Sequence, residues 1–225
     1  MAMSKNQFDK AVNQKLRDAT IDGEGIVIND MVPWFVAEVV TADDAALCRN
    51  TKPLIEAAYG FFRQGIACRV EGRDIGQGLI QLATKWKAVK TLGALMDKLY
   101  EYQVAETDKW TAKGNAFKVQ SIEDKCDTLR VIIDHLLEQG LTDISDLTKH
   151  INSLFGDTPE GERPKVFTLS TIHKAKGREW NRVYILRRDL MPSKYAKQAW
   201  ELQQEENLEY VAITRAKVEL IYVAN

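Results

Sequence analysis

Two short apolar runs near the C-terminal end constrain this chain more than any other feature. VFTLS (166–170) and RVYIL (182–186) are rich in β-branched and aromatic residues, as buried strands are. The loop between them carries Thr171, His173, Lys174, Lys176, Gly177, Arg178 and Glu179. That is too many polar groups for a core, and they are of the kinds that hold phosphates. After a charged spacer, NLEYVAITRAK (207–217) leads into a third apolar run, VELIYV (218–223), predicted to be another buried strand. Strand, polar loop, strand, helix and strand in that order predict an α/β domain built on a parallel sheet.

Charge matters here through its placement. From Arg163 to Arg188 there are eight Lys or Arg and one acid, Glu179, so this stretch carries +7 while the whole chain carries −1. The rest must sum to −8. Such a segregated patch can neutralise a few phosphates, whereas the overall balance excludes a protein that binds nucleic acid over its entire surface. No apolar run approaches the length of a membrane span, and MAMSKNQFDK lacks the apolar core of a secretory signal. Cys48, Cys68 and Cys126 have no metal-ligand spacing, which predicts reduced thiols in a cytoplasmic protein.

Earlier in the chain, residues 1–19 read as a polar N-terminal segment, 22–30 as a turn entering a short strand, and 31–44 as a helix around Trp34 and Phe35. Ala45–Cys48 reads as a strand. Thr51 and Pro53 signal a helix whose stripe is Leu54, Ala57, Ala58, Phe61 and Phe62, ended by Gly65; Ile66–Val70 is the next strand. This is a β-α-β unit. Residues 85–103 place Trp86, Val89, Leu92, Met96, Leu99 and Tyr100 on one helical face. Ser121 with Asp124 reads as a capping box opening a second helix that Gly140 ends, and a third helix runs around Ile144, Leu147, Ile151 and Leu154. Residues 156–164 form a polar, turn-rich return.

The order T-x-H-x-x-K-G-x-E (Thr171, His173, Lys176, Gly177, Glu179), then Leu190-Met191-Pro192, then E-x-N-L-x-Y-V-A-x-T-R-A-K (Glu205 to Lys217) resembles motifs V and VI of the UvrD/Rep-type superfamily 1 DNA helicases. LCRNTKPL (47–54) and RVEGRDIGQGL (69–79) resemble the family's segment between motifs IV and V. The resemblance implies a RecA-like parallel sheet with helices on both faces, the family's domain 2A, formed by residues 20–84 and 160–225. The helical residues 85–159 fall where the family inserts its 2B subdomain, here as a small all-helical insert.

Roles follow from the resemblance residue by residue. Arg215 is implied as the arginine finger; a planar, permanently charged guanidinium suits a γ-phosphate, and such a finger is worth roughly 10³ to 10⁵ in rate. Glu179 is implied to meet the nucleotide ribose, with a salt bridge to a neighbouring base as the alternative. Gly177 would allow close backbone approach or a positive φ. Arg49 would lie near the domain interface as a further nucleotide-side residue, or serve as a loop-capping surface residue. Thr171, His173, Lys174 and Lys176 are implied to bind the DNA strand and couple it to the nucleotide. Trp180 would stack on a base or fill the strand entrance.

No G-x-x-x-x-G-K-[ST] loop occurs in the chain, and no Asp-Glu pair follows an apolar strand. ATP and Mg²⁺ are therefore expected to need a Walker-bearing N-terminal RecA-like domain as partner, which would bring the Mg²⁺ ligands. The resemblance implies a C-terminal motor domain of an ATP-dependent DNA helicase moving 3′ to 5′ on single-stranded DNA, inactive alone. The alternative is a non-catalytic nucleic-acid- or protein-binding module derived from a helicase half.

Overall fold

A computed structural model of the chain describes residues 40–155 and 166–223. The expectations for residues 1–39 and for the return at 156–164 lie outside the described residues. Five strands form one parallel sheet: β1 (Ala45–Cys48), β2 (Cys68–Val70), β3 (Phe167–Thr171), β4 (Trp180–Ile185) and β5 (Ala216–Tyr222), in the order β2-β3-β1-β4-β5. The six helices among the described residues are α1 (Lys52–Arg63), α2 (Arg73–Ala83), α3 (Leu92–Ala112), α4 (Ala116–Glu138), α5 (Ile144–Phe155) and α6 (Ala199–Ile213). The fold is α/β and RecA-like.

Alternation along β1 explains how the sheet is covered. Ala46 and Cys48 point into one hydrophobic cluster with Leu54 and Ile55 of α1, Leu79 of α2, Leu129 and Ile133 of α4 and Ile151 of α5. Ala45 and Leu47 point into the other, with Leu208, Ala212 and Ile213 of α6. Successive side chains of a strand serve opposite faces, so AALC is apolar on both, and all four β1 residues are buried. The helices of residues 92–155 therefore share one continuous core with the sheet face that α1 covers.

β1 and β2 flank α1 as a parallel β-α-β unit, but β3 inserts between them in the sheet. The predicted strand 66–70 is shorter, Cys68–Val70. At the far edge β5 is half exposed, with Val218 at 78% exposure, because an edge strand has a neighbour on one side alone.

Two helix starts differ from expectation. α3 begins at Leu92, with the Thr91 hydroxyl accepting from the Ala94 N–H at 3.4 Å, so residues 85–91 precede it and Tyr100 faces solvent. α4 begins at Ala116 with Asn115 as its cap, and Ser121 is interior. Asp124 is freed from the predicted capping box and caps a different helix. Its carboxylate accepts from Thr51 N–H (2.9 and 3.0 Å) and Lys52 N–H (3.3 Å) at the start of α1, where the Thr51 side chain makes no cap.

Candidate functional site

β3 and β4 are both parallel to β1 yet lie on opposite sides of it. The connection between them, residues 172–179, must return the chain along the length of the sheet in eight residues. A helical crossover of a dozen residues or more is the usual solution. Here a run of turns does it, anchored by Ile172 and Ala175, which are fully buried in the cluster under α6. From the register, Thr171 stands six strand positions above Trp180, a separation of roughly 20 Å. The polar loop seen in the sequence is thus a short strap from the carboxyl end of the sheet to its amino end.

Gly177 sits in this strap at φ +80, and a Cβ there would meet nothing within 4 Å. Its glycine serves the left-handed backbone rather than a close approach.

At the carboxyl end, Thr171 closes β3 beside Cys48 of β1. The Thr171 hydroxyl accepts from the Lys174 N–H at 3.3 Å, which turns the strap. His173 is exposed, yet its pKa is lowered, first by partial desolvation and then by the charges of Arg49 and Lys176, against a smaller opposite effect of Glu205. Arg49 is almost fully buried. Its Nε and Nη2 donate to Glu205 at 2.7 and 2.5 Å, and Nη1 reaches Asn50 at 3.4 Å. Burial raises the Glu205 carboxyl, but the bonds from Arg49 and from the Ser193 N–H at 2.9 Å outweigh it and hold the carboxyl below its usual range. Arg49 in this structure is a tie between the β1 loop, α6 and the 193 loop.

At the amino end, Trp180 N–H donates to the Arg215 carbonyl (3.0 Å) as β4 and β5 begin side by side. The Arg215 side chain turns back along the strap. Its Nη1 donates to the Arg178 carbonyl (2.9 Å), Nε to the Val211 carbonyl (3.0 Å) and Nη2 to the Thr214 hydroxyl (3.0 Å). No carboxylate pairs with this guanidinium among the described residues. Glu179 is exposed beside it and makes no ion pair there, so the salt-bridge alternative is not realised among the described residues. Trp180 is buried at 6% exposure, with the Arg178 guanidinium 5.2 Å from its ring, which fits the strand-entrance role.

Tertiary pairing reshapes the basic run. Lys174 meets Asp74 at 2.7 Å, Arg178 pairs with Glu71, Arg182 meets Asp44 at 2.7 Å, and Arg188 meets Glu209 at 3.0 Å. Arg187 pairs with its near neighbour Asp189 at 2.7 Å. Of the six described cations in this run, four are matched by acids from distant elements, Asp74, Glu71, Asp44 and Glu209, and a fifth by Asp189. Lys176 is exposed and has no ion pair among the described residues.

A cleft of about 380 Å³ opens beyond the carboxyl ends of β1 and β4, lined by Asn50, Lys52, Asp124, Arg187 and Asp189. The chain leaves β1 across one face and β4 across the other, so this is the place where open α/β sheets commonly take ligands. Its mixed charges and its distance from Arg215 separate it from the amino-end group. No cluster of three or more His, Cys, Asp or Glu able to hold a metal occurs among the described residues.

Residues 81–225 match the family model for the UvrD-like helicase C-terminal domain. The chain belongs to that family. No curated protein matches it significantly. A UvrD-like helicase C-terminal domain implies a helicase role for the full protein and contact with nucleic acid. Among the described residues, no helix is long and apolar enough to cross a membrane.

Sequence reading passed over three groups that the structure brings forward. Glu205 was visible only as a motif letter, Glu71 and Asp74 only as acids in a glycine-rich segment, and Asp124 as a cap for its own helix. None could be found from spacing, because each partner lies on another element.

Proposed function

We propose that this chain is the C-terminal motor domain, 2A, of an ATP-dependent DNA helicase that moves 3′ to 5′ on single-stranded DNA. Residues 20–84 and 160–225 form the RecA-like part, and residues 85–159 a reduced 2B-like insert. The observation that carries the reading is the eight-residue strap, which has strand-binding candidates at one end and nucleotide candidates at the other. Thr171, His173, Lys174 and Lys176 occupy the carboxyl end, near Arg49. Gly177 and Glu179 approach the amino end, where Arg215 waits.

The residues at the amino end fit ATP by their chemistry. Arg215 is half-buried, charged and held by two carbonyls and a hydroxyl that compete weakly with a phosphate dianion. Glu179 is an exposed acceptor suited to a ribose hydroxyl. Bound ATP with Mg²⁺ supplies the phosphoryl group whose transfer drives the motor; the Walker loop and the metal ligands come from an N-terminal RecA-like partner domain. Facing that domain, Arg215 would exchange the Arg178 carbonyl for the γ-phosphate oxygens and would neutralise charge that develops there. Movement of Arg215 releases the strap at Arg178, which is how a nucleotide event reaches Thr171 and His173.

The test is single-stranded-DNA-stimulated ATP hydrolysis by this chain, by the whole or reconstituted protein, and by the whole protein carrying Arg215→Ala. The reading expects an inactive chain, an active whole and a loss of about a hundredfold or more in the variant. Full ATPase activity without Arg215 would move the non-catalytic binding module ahead.

A further inference from the structure

The tip of the α3–α4 hairpin and the start of α6 carry a feature that the motifs leave unused. Phe117 and Trp200 belong to elements far apart in the chain, yet their rings meet on the surface with centroids 5.9 Å apart, at 44% and 51% exposure. The Trp200 indole N–H donates to the Gln198 side chain at 2.5 Å, which fixes the ring. Behind Phe117, three ammonium groups surround a third aromatic. Lys109, Lys113 and Lys118 stand 5.5, 4.9 and 5.9 Å from the Trp110 ring. The stretch KWTAKGNAFK (109–118) holds these three lysines and no acid. Glu106, one turn earlier on α3, is taken by Lys109 (2.9 Å) and the Trp110 N–H (3.0 Å). Lys113, Lys118 and Lys197 are exposed and have no ion pair among the described residues.

We infer that Phe117 and Trp200, flanked by Lys113 and Lys118, form a stacking platform for bases of a single-stranded nucleic acid. With Lys109 taken by Glu106, Lys113 and Lys118 stand on the same ring with no ion pair among the described residues, two like charges that a polyanion would answer together. Protein interfaces instead shed lysine from around their exposed aromatics. Two exposed aromatic faces, tilted 38° to one another beside ammonium groups, match a strand that offers bases and phosphates alternately. The platform lies off the strap and off motif VI, on the insert and on the first turn of α6. It rests on the reading above only in taking single strands as the ligand. It adds a second grip on the strand that needs neither ATP nor Arg215.

The test is fluorescence anisotropy of labelled oligo(dT), and of an abasic strand of equal length, with the full 225-residue chain and no nucleotide, over a range of salt. Trp200→Ala and Phe117→Ala should each weaken oligo(dT) binding roughly five- to 150-fold and leave the abasic strand unaffected, while Trp200→Phe keeps most of the affinity. Lys113→Ala with Lys118→Ala should weaken both strands and flatten the plot of log affinity against log salt by about 1.4. These lysines are exposed, so this double variant keeps the fold and tests the surface independently. The inference is overturned if the wild-type chain fails to bind oligo(dT) at low salt, or if Trp200→Ala binds both strands as the wild type does. It is overturned equally if Trp200→Ala loses both strands alike, or loses only association with the N-terminal half, which would make this a protein surface. The ATPase test of Arg215 can fail without touching these outcomes, and the reverse holds as well.

Discussion

Arg215 donates from Nη1 to the carbonyl of Arg178 at 2.9 Å, tying the turn after α6 to the strap that joins β3 and β4. The bond is made by a charged donor to a neutral acceptor, so a stronger anion can take its place without first breaking an ion pair. If a finger must offer two parallel N–H groups, charge alone cannot replace it. Arg215→Lys in the whole protein is therefore expected to fall within about tenfold of Arg215→Ala in strand-stimulated ATPase, because an ammonium bonds as a point charge. Recovery of near wild-type rate by lysine would assign Arg215 a general electrostatic role instead.

Arg49 and Glu205 are 9% and 4% exposed and bonded through two nitrogens, so removing either leaves a buried charge unanswered. Glu205→Ala is expected to cost about 3 to 5 kcal/mol in urea unfolding. The double change Arg49→Met with Glu205→Leu should recover most of that loss, since it removes both charges together.

Acid should destabilise the chain through its histidines. His135 and His150 both have lowered pKa values, chiefly from burial; for His150 the charge of His135 adds, and for His135 Arg63 adds while Glu138 opposes. The His135 ring stacks on Tyr59 at 3.8 Å, and His150 shares a hydrogen bond with the Tyr59 hydroxyl at 3.0 Å. His173 is lowered as well. A lowered histidine binds fewer protons folded than unfolded, so stability is complete above the unfolded value of about 6.5 and declines as pH falls through it. Melting temperature should drop between about pH 7.5 and about pH 5.5, and His150→Gln should shrink that drop.

Glu71 and Asp74 hold two strap cations, Arg178 and Lys174, away from other anions. Glu71→Gln with Asp74→Asn is expected to strengthen single-strand binding at low salt. The slope of log affinity against log salt should steepen by about 1.4, roughly 0.7 for each released charge. An unchanged slope would place these cations off the strand path.

Gly177→Ala should destabilise the chain by about 1 kcal/mol, because φ +80 disfavours any side chain although the space around it is open. The measurement is equilibrium unfolding. A loss several times larger would mean that the strap packs against something at that position.

Much of the frame was legible in the sequence. The run 45–48 is apolar throughout, as a strand that serves two buried faces commonly is, while 167–171 and 180–185 announce themselves by their β-branched and aromatic residues. α1 followed from Pro53 and its apolar stripe, and motif order singled out Gly177 and Glu179, which lie in the strap that Arg215 bonds at Arg178.

Tertiary structure decided what hydrophobic period and local spacing cannot encode. β3 lies between β1 and β2, Asp124 caps α1 rather than its own helix, and the acids that match the basic run come from up to 138 residues away, as Asp44 does for Arg182. Apolar pattern is a property of neighbours along the chain, so a strand or helix announces itself. An ion pair or a borrowed cap depends on which elements the shared core brings together, and that is decided only when the two faces of the sheet are buried.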